Sequence, residues 1–248
     1  MKNILALYNR TPNAVAPHLE RGDVVYSWDL QGDEPGDVLE IDSMGYCIEN
    51  FETIDGIFAF PPCDKFTVSV NRLWEQFDES GETEQALELV DRVFQIVDAF
   101  RPTDPEAAEE IPFFWVMENP VGRLNKLRPG LGDPFIFHPW EYAGYLNPGP
   151  AELKEIERIR KKDGIGIKKD EALFLLDWNV YTKKTCLYGE FNREIPKKPI
   201  PPVKGSKYGS PLLWFGGKSK ERKQVRSVSP EGFFRAFYRA NINHCITL

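Results

Sequence analysis

The sequence is poor in sulfur and imidazole, with four cysteines, three methionines and three histidines in 248 residues. Cys47, Cys63, Cys186 and Cys245 are widely separated, contain no Cys-x-x-Cys pair, and are not joined by clustered histidines. This spacing excludes the usual zinc-binding frameworks and a stapled secreted scaffold. No metal is expected, and reduced thiols in a cytoplasmic compartment are the natural reading. No run of 18 or more apolar residues is present, so no membrane-spanning helix is expected. Met1-Lys2-Asn3-Ile4-Leu5 leads into a strand pattern with no long apolar core and no cleavage site, so no secretory signal is expected. Internal repeats and low-complexity tracts are also lacking.

What is there has the balance of a globular α/β protein, with 42% hydrophobic and 28% charged residues. The net charge of −7 conceals a division. Residues 1–150 carry 10 basic against 27 acidic side chains, and residues 151–248 carry 21 against 11. A basic C-terminal portion suits a polyanionic partner as well as it suits a solvated loop face.

Along the first 120 residues, short apolar runs alternate with helical spacing, the pattern of a parallel sheet with crossover helices. Strands are predicted at 4–8, 23–27, 37–41, 56–60 and 113–117, with helices at 14–21 and 83–100. The regularity loosens beyond residue 120. Residues 121–150 read as ordered loop, 152–162 as a charged helix, 194–223 as a basic proline-bearing stretch, and the segment after Pro230 as a closing amphipathic helix.

Ligands of open α/β sheets bind beyond the carboxyl ends of the strands. At those ends stand Asp29, the Pro61-Pro62-Cys63 loop and Glu118-Asn119-Pro120. Two prolines after a buried strand stiffen the turn that carries Cys63, as a positioned nucleophile requires. A partly desolvated carboxyl group at Glu118 can serve as an acid. A thiolate and a carboxylic acid, with neither metal nor histidine, suit addition to carbon 6 of cytosine. Carbon 5 then becomes nucleophilic, while the acid stabilises charge at ring nitrogen N3. The base has to leave the duplex to reach such a pocket.

The segments FPPCDKF (60–66), SVNRLWE (69–75) and VMENPVGRL (116–124) together resemble the cytosine-5 DNA methyltransferases, most closely their compact bacteriophage branch. The resemblance implies Cys63 as nucleophile, Glu118 as the carboxylate at N3, and Asn119 with Pro120 shaping the pocket. It implies S-adenosylmethionine as cofactor, held by Tyr8 and Asn9 after the first strand, by Asp29 and Asp37, and by Pro61 and Pro62. GDVLEI (36–41), YTKKTCLYG (181–189) and RSVSPEGFFRAFYRAN (226–241) extend the likeness across most of the chain, but not over 147–176 or 194–220.

The implied fold is α/β, a Rossmann-like class I methyltransferase sheet with helices on both faces and a small irregular target-recognition region. The implied catalytic domain is 1–122 plus 224–248, with 123–223 a basic region recognising double-stranded DNA. Lys183, Lys184, Lys218, Lys220 and Arg222 are its candidate DNA contacts, and phosphate contacts of this kind position a protein without specifying sequence. Two departures stand out. The family's glycine-rich cofactor loop is here Tyr8-Asn9-Arg10-Thr11-Pro12, and its Gln-x-Arg-x-Arg element is missing. They leave open transfer of a group other than methyl, and a non-catalytic DNA-binding or decoy role.

Overall fold

The computed structural model describes residues 1–9, 12–28, 53–103, 113–162, 166–203 and 228–242. The strand expected at 37–41 lies outside them. The chain divides into two compact units. The first comprises 1–10, 18–136 and 185–191, and the second 11–17, 137–184 and 192–248.

The first unit is mixed α/β, with a six-stranded sheet among the described residues. Its strands are β1 (Asn3–Leu7), β2 (Val24–Trp28), β3 (Gly56–Ala59), β4 (Phe114–Pro120), β5 (Phe135–Phe137) and β6 (Thr185–Glu190). Their order is β2-β1-β3-β4-β6-β5. The first four run parallel, and β6 pairs antiparallel with β4, Asn119 opposite Cys186. From β1 the chain steps outward to β2 and then to the other side for β3, so a topological switch point lies between β1 and β3.

The four parallel strands follow from nearly continuous apolar runs. Ile4–Leu7 and Gly56–Ala59 are fully buried, as a sheet covered on both faces demands. One face packs on α3 (Glu82–Phe100), whose Leu87, Val90, Val93 and Val97 meet Leu5, Leu7, Ile57, Ala59, Trp115 and Met117. The short helices α1 (Ala16–Arg21) and α2 (Trp74–Glu79) precede it. Glu82 and Glu84 in the first turn of α3 suit its positive N-terminal end. The helix stops at Arg101, which Pro102 holds in extended backbone. On the other face His18 of α1 packs edge-on to Phe58 and stacks near Phe114. Its Nδ1 lies 3.0 Å from Asp23 Oδ2, and burial lowers its pKa.

The second unit holds α5 (Pro150–Arg160), α6 (Lys169–Asp177) and α7 (Glu231–Asn241), together with a 3-10 segment, Pro139–Leu146. Ala143, Ile156, Ile159, Leu175, Val180 and Val203 form one core. Phe233 stacks on Phe137 at 3.7 Å and meets Tyr142 edge-on at 5.0 Å. An extended strap beyond Asn192 is tied down at Lys198, which donates to the Glu141 carbonyl and accepts from Gly144 N–H.

Region 123–223 is therefore less irregular than its sequence suggests. Its described part contains α4 (Leu124–Leu127), α5, α6, β5 and β6, and Thr185–Phe191 packs in the first unit rather than apart from it. The helix at 169–177 escapes a periodicity reading because its start is set by a side chain. Glu171 accepts from the Lys168 N–H and from Lys162 and Arg158, which holds its pKa down to about 2. By packing, the described part of 224–248 stands in the second unit.

Candidate active site

The carboxyl ends of β1, β3 and β4 stand side by side. Phe60 N–H donates to Leu7 O at 3.0 Å, so the β1–β3 pairing runs to the last residue before Pro61. The register Ala59 to Met117, carried one step on, places Phe60 beside Glu118. Sheet topology thus brings the Pro-Pro-Cys turn and the Glu-Asn-Pro strand end to one edge.

The two segments are also stitched directly. Cys63 O accepts from Phe66 N–H at 3.1 Å and Thr67 N–H at 3.2 Å, which closes Cys63–Phe66 into a tight turn. Val68 N–H then donates to Val121 O, and Arg123 N–H to Phe66 O at 2.9 Å. Thr67 and Gly122 form an antiparallel bridge. Gly122 is required there, because a Cβ on it would stand 1.8 Å from Phe66 O. Pro61 is buried, Pro62 is exposed, and Cys63 is half-buried and outside any disulfide. A half-buried thiol on a doubly anchored turn has the placement of a nucleophile: accessible, yet unable to wander.

Strand alternation separates Glu118 from Asn119. Asn119 lies on the face of Trp115, Met117 and Cys186, whereas Glu118 shares the face of Phe114 and Val116. Glu118 is half-buried. Asn119 is fully buried, and neither its amide nitrogen nor its oxygen finds a hydrogen-bond partner among the described residues. An orphan of this kind costs about 1–3 kcal/mol. Such an orphan at a strand end calls for a partner beyond the described protein groups.

Past β1, Tyr8 adopts φ +56°, the left-handed conformation that glycine takes without strain. Its N–H donates to Trp28 O at 2.7 Å, and its Oη donates to Leu89 O of α3 at 3.3 Å. Asn9 is buried, with Nδ2 donating to Ser27 Oγ at 3.2 Å. The glycine-free loop therefore reaches a glycine-like backbone turn, and the tyrosine side chain is drawn onto α3. As far as it is described, the edge at the switch point carries a left-handed turn at Tyr8, a buried amide at Asn9 and, on β4, an unsatisfied amide at Asn119.

Asp29 and Asp37 lie outside the described residues, as do Lys218, Lys220 and Arg222. Lys183 is half-buried and Lys184 exposed, both in the second unit. Among the described residues no cluster of three or more histidine, cysteine or acidic side chains is placed to hold a metal, and no helix is long and apolar enough to cross a membrane.

Sequence reasoning did not single out Gly122 and Arg123. Arg123 is a buried cation that touches the backbone of the cysteine turn. The signal was a glycine immediately after a strand end, which marks close backbone approach. No protein-family model matches the chain, and no curated protein sequence matches it.

Proposed function

We propose that this protein is a DNA cytosine-5 methyltransferase of Rossmann-like fold that uses S-adenosylmethionine and attacks an extruded cytosine through Cys63. The observation that carries the reading is the backbone stitching of the Pro-Pro-Cys turn to the end of β4 at the sheet's carboxyl edge. It brings the turn that carries Cys63 to the end of the strand that carries Glu118.

In this reading Tyr8, Asn9, Asp29, Asp37 and the prolines at 61 and 62 hold the cofactor. When bound, it supplies an electrophilic methyl group. The Cys63 thiolate adds to carbon 6 of the base. Glu118 hydrogen-bonds at N3 and stabilises the charge that this addition creates. Carbon 5 thereby becomes the nucleophile. Loss of the C5 proton after transfer expels Cys63 and restores the ring. Basic side chains of the second unit would meet DNA phosphates, fixing position rather than sequence.

The experiment is mass spectrometry of nucleosides from duplex DNA incubated with the protein and isotopically labelled S-adenosylmethionine. Labelled 5-methylcytosine is expected from the wild type and none from Cys63→Ala, while calorimetry shows the cofactor still bound by the variant. Normal turnover by Cys63→Ala would sink the mechanism. A heavier C5 substituent would replace methyl as the transferred group, and cofactor binding without any product would favour a DNA-binding role.

A further inference from the structure

Arg123 is a buried cation of the first unit whose side chain bonds a loop and two helices. Its side chain is only 8% exposed. Nε donates to the carbonyl of Lys65 inside the cysteine turn at 3.3 Å, while Arg123's own N–H donates to Phe66 O. The far end of the guanidinium is fixed independently. Nη1 donates to Asp78 Oδ2 of α2 at 2.8 Å, Nη2 to Thr83 Oγ1 of α3 at 2.7 Å, and the group lies 4.9 Å over the Trp74 ring. Asp78 also accepts from Thr83 Oγ1 at 2.5 Å, and these bonds hold its pKa below the usual carboxylate range.

A planar fork with donors on three nitrogens can join a loop carbonyl to two helices at once, whereas a lysine must reach all its acceptors from a single nitrogen. Lys65 pairs with Glu82 and lies 4.1 Å over the Phe77 ring, so both sides of the residue after Asp64 are tied to the same helical pair. The turn has no regular secondary structure of its own. This clamp and the bridge at Gly122 add to the two prolines and the Cys63–Phe66 hydrogen bonds in fixing it.

We propose that Arg123 is a positioning residue for Cys63: its side chain holds the Pro-Pro-Cys turn in the geometry of attack by anchoring the Lys65 carbonyl to α2 and α3. The proposal rests on the reading of Cys63 as the nucleophile. A displacement of about 1 Å in a reacting group costs on the order of 100-fold in rate. In this role Arg123 acts through the turn rather than on substrate or cofactor, so its loss should appear in turnover and not in binding.

The test compares wild type, Arg123→Lys and Asp78→Asn, the last being a half-exposed change that spares the core. Steady-state methyl transfer and amide hydrogen exchange are read on each. For Arg123→Lys, kcat should fall about 10- to 100-fold while KM for cofactor and DNA stays within about 3-fold. Exchange should quicken at Phe66, Thr67 and Val68 and stay unchanged in β1, β3 and β4. Asp78→Asn should show the same pattern, more weakly. The proposal is overturned if kcat is retained, or if it falls only together with strand-wide loss of protection. It is equally overturned if exchange in the turn does not respond. A wild type that transfers no methyl group defeats the nucleophile reading instead, and the exchange data then still decide whether the clamp exists.

Discussion

The two units use charge differently. In the first, the Arg123 cluster ends on backbone: its guanidinium holds the cysteine turn by a carbonyl, and its partner Asp78 is half-exposed. In the second, charges tie segments whose ends a hydrophobic core already fixes. Arg158 and Lys162 of the α5 region converge on Glu171 of α6, and Lys197 of the strap pairs with Glu141. One arrangement places a loop, and the other secures helices. A polar network's consequence for function is therefore set by what its far end holds.

Paired substitutions sharpen this contrast. The largest effect is expected at the strand end. Glu118→Gln should cut methyl transfer at least about 100-fold, the range of acid–base groups, with little change in the unfolding midpoint. Glu171→Gln in the second unit should do the reverse, costing about 1–2 kcal/mol in urea unfolding through lost charge-assisted bonds. Equal stability losses with no rate difference would erase the distinction.

A smaller effect is expected at Tyr8, whose backbone rather than ring matters for the cofactor. Tyr8→Gly keeps the left-handed turn, and calorimetry should find S-adenosylmethionine affinity within about 3-fold of wild type. Tyr8→Val places a β-branched residue at positive φ, a strain of about 1–3 kcal/mol, and should weaken binding by about 10-fold or more. If the two variants bind alike, the turn is not the feature that counts.

The smallest effect is in pH, with a different window for each group. His18, desolvated and facing Asp23, Lys2 and Arg21, has a lowered folded pKa. Its neutral form is favoured on folding, so its contribution is complete above about pH 6.5 and is lost as pH falls below that, by at most about 1.4 kcal/mol per pH unit. His138 of the second unit is lowered too, chiefly by burial. Glu171, lowered to about 2, contributes above about pH 4.5 and fails as pH drops toward 2. Amide exchange at pH 7.5, 5.5 and 3.5 should show His18→Gln flattening the upper step in the first unit while the Glu171-dependent step persists in the second.

Much of the first unit was legible because buried parallel strands are written as apolar runs. The runs at 4–8, 56–60 and 113–117 predict β1, β3 and β4 to within a residue or two at their starts, and the spacing over 83–100 predicts α3. The Val68–Leu73 3-10 segment and α2 were not legible. The 3-10 segment buries none of its residues, so no face-defining period exists. β6 was missed as a strand because it enters the sheet antiparallel from far along the chain, which local pattern does not encode. At the site, strand-end placement of Cys63, Glu118 and Asn119 followed from topology. The positive φ of Tyr8 and the Arg123 clamp depend on tertiary anchors at Leu89, Asp78 and Thr83, which no spacing announces.

The late return of β6 bears on how the chain reaches this state. Pro120 pairs with Thr185, a loop of about 65 residues, and closing one that long costs on the order of 4 kcal/mol before any pairing repays it. Until it closes, β4 is an open edge bearing Phe114, Trp115, Val116 and Met117, the kind of strand that other chains join. The nascent protein is thus most exposed to aggregation through the strand that carries Glu118 and Asn119. Pulse-labelled amide exchange should find β6 protected last, and protection of β6 before β3 would contradict that order.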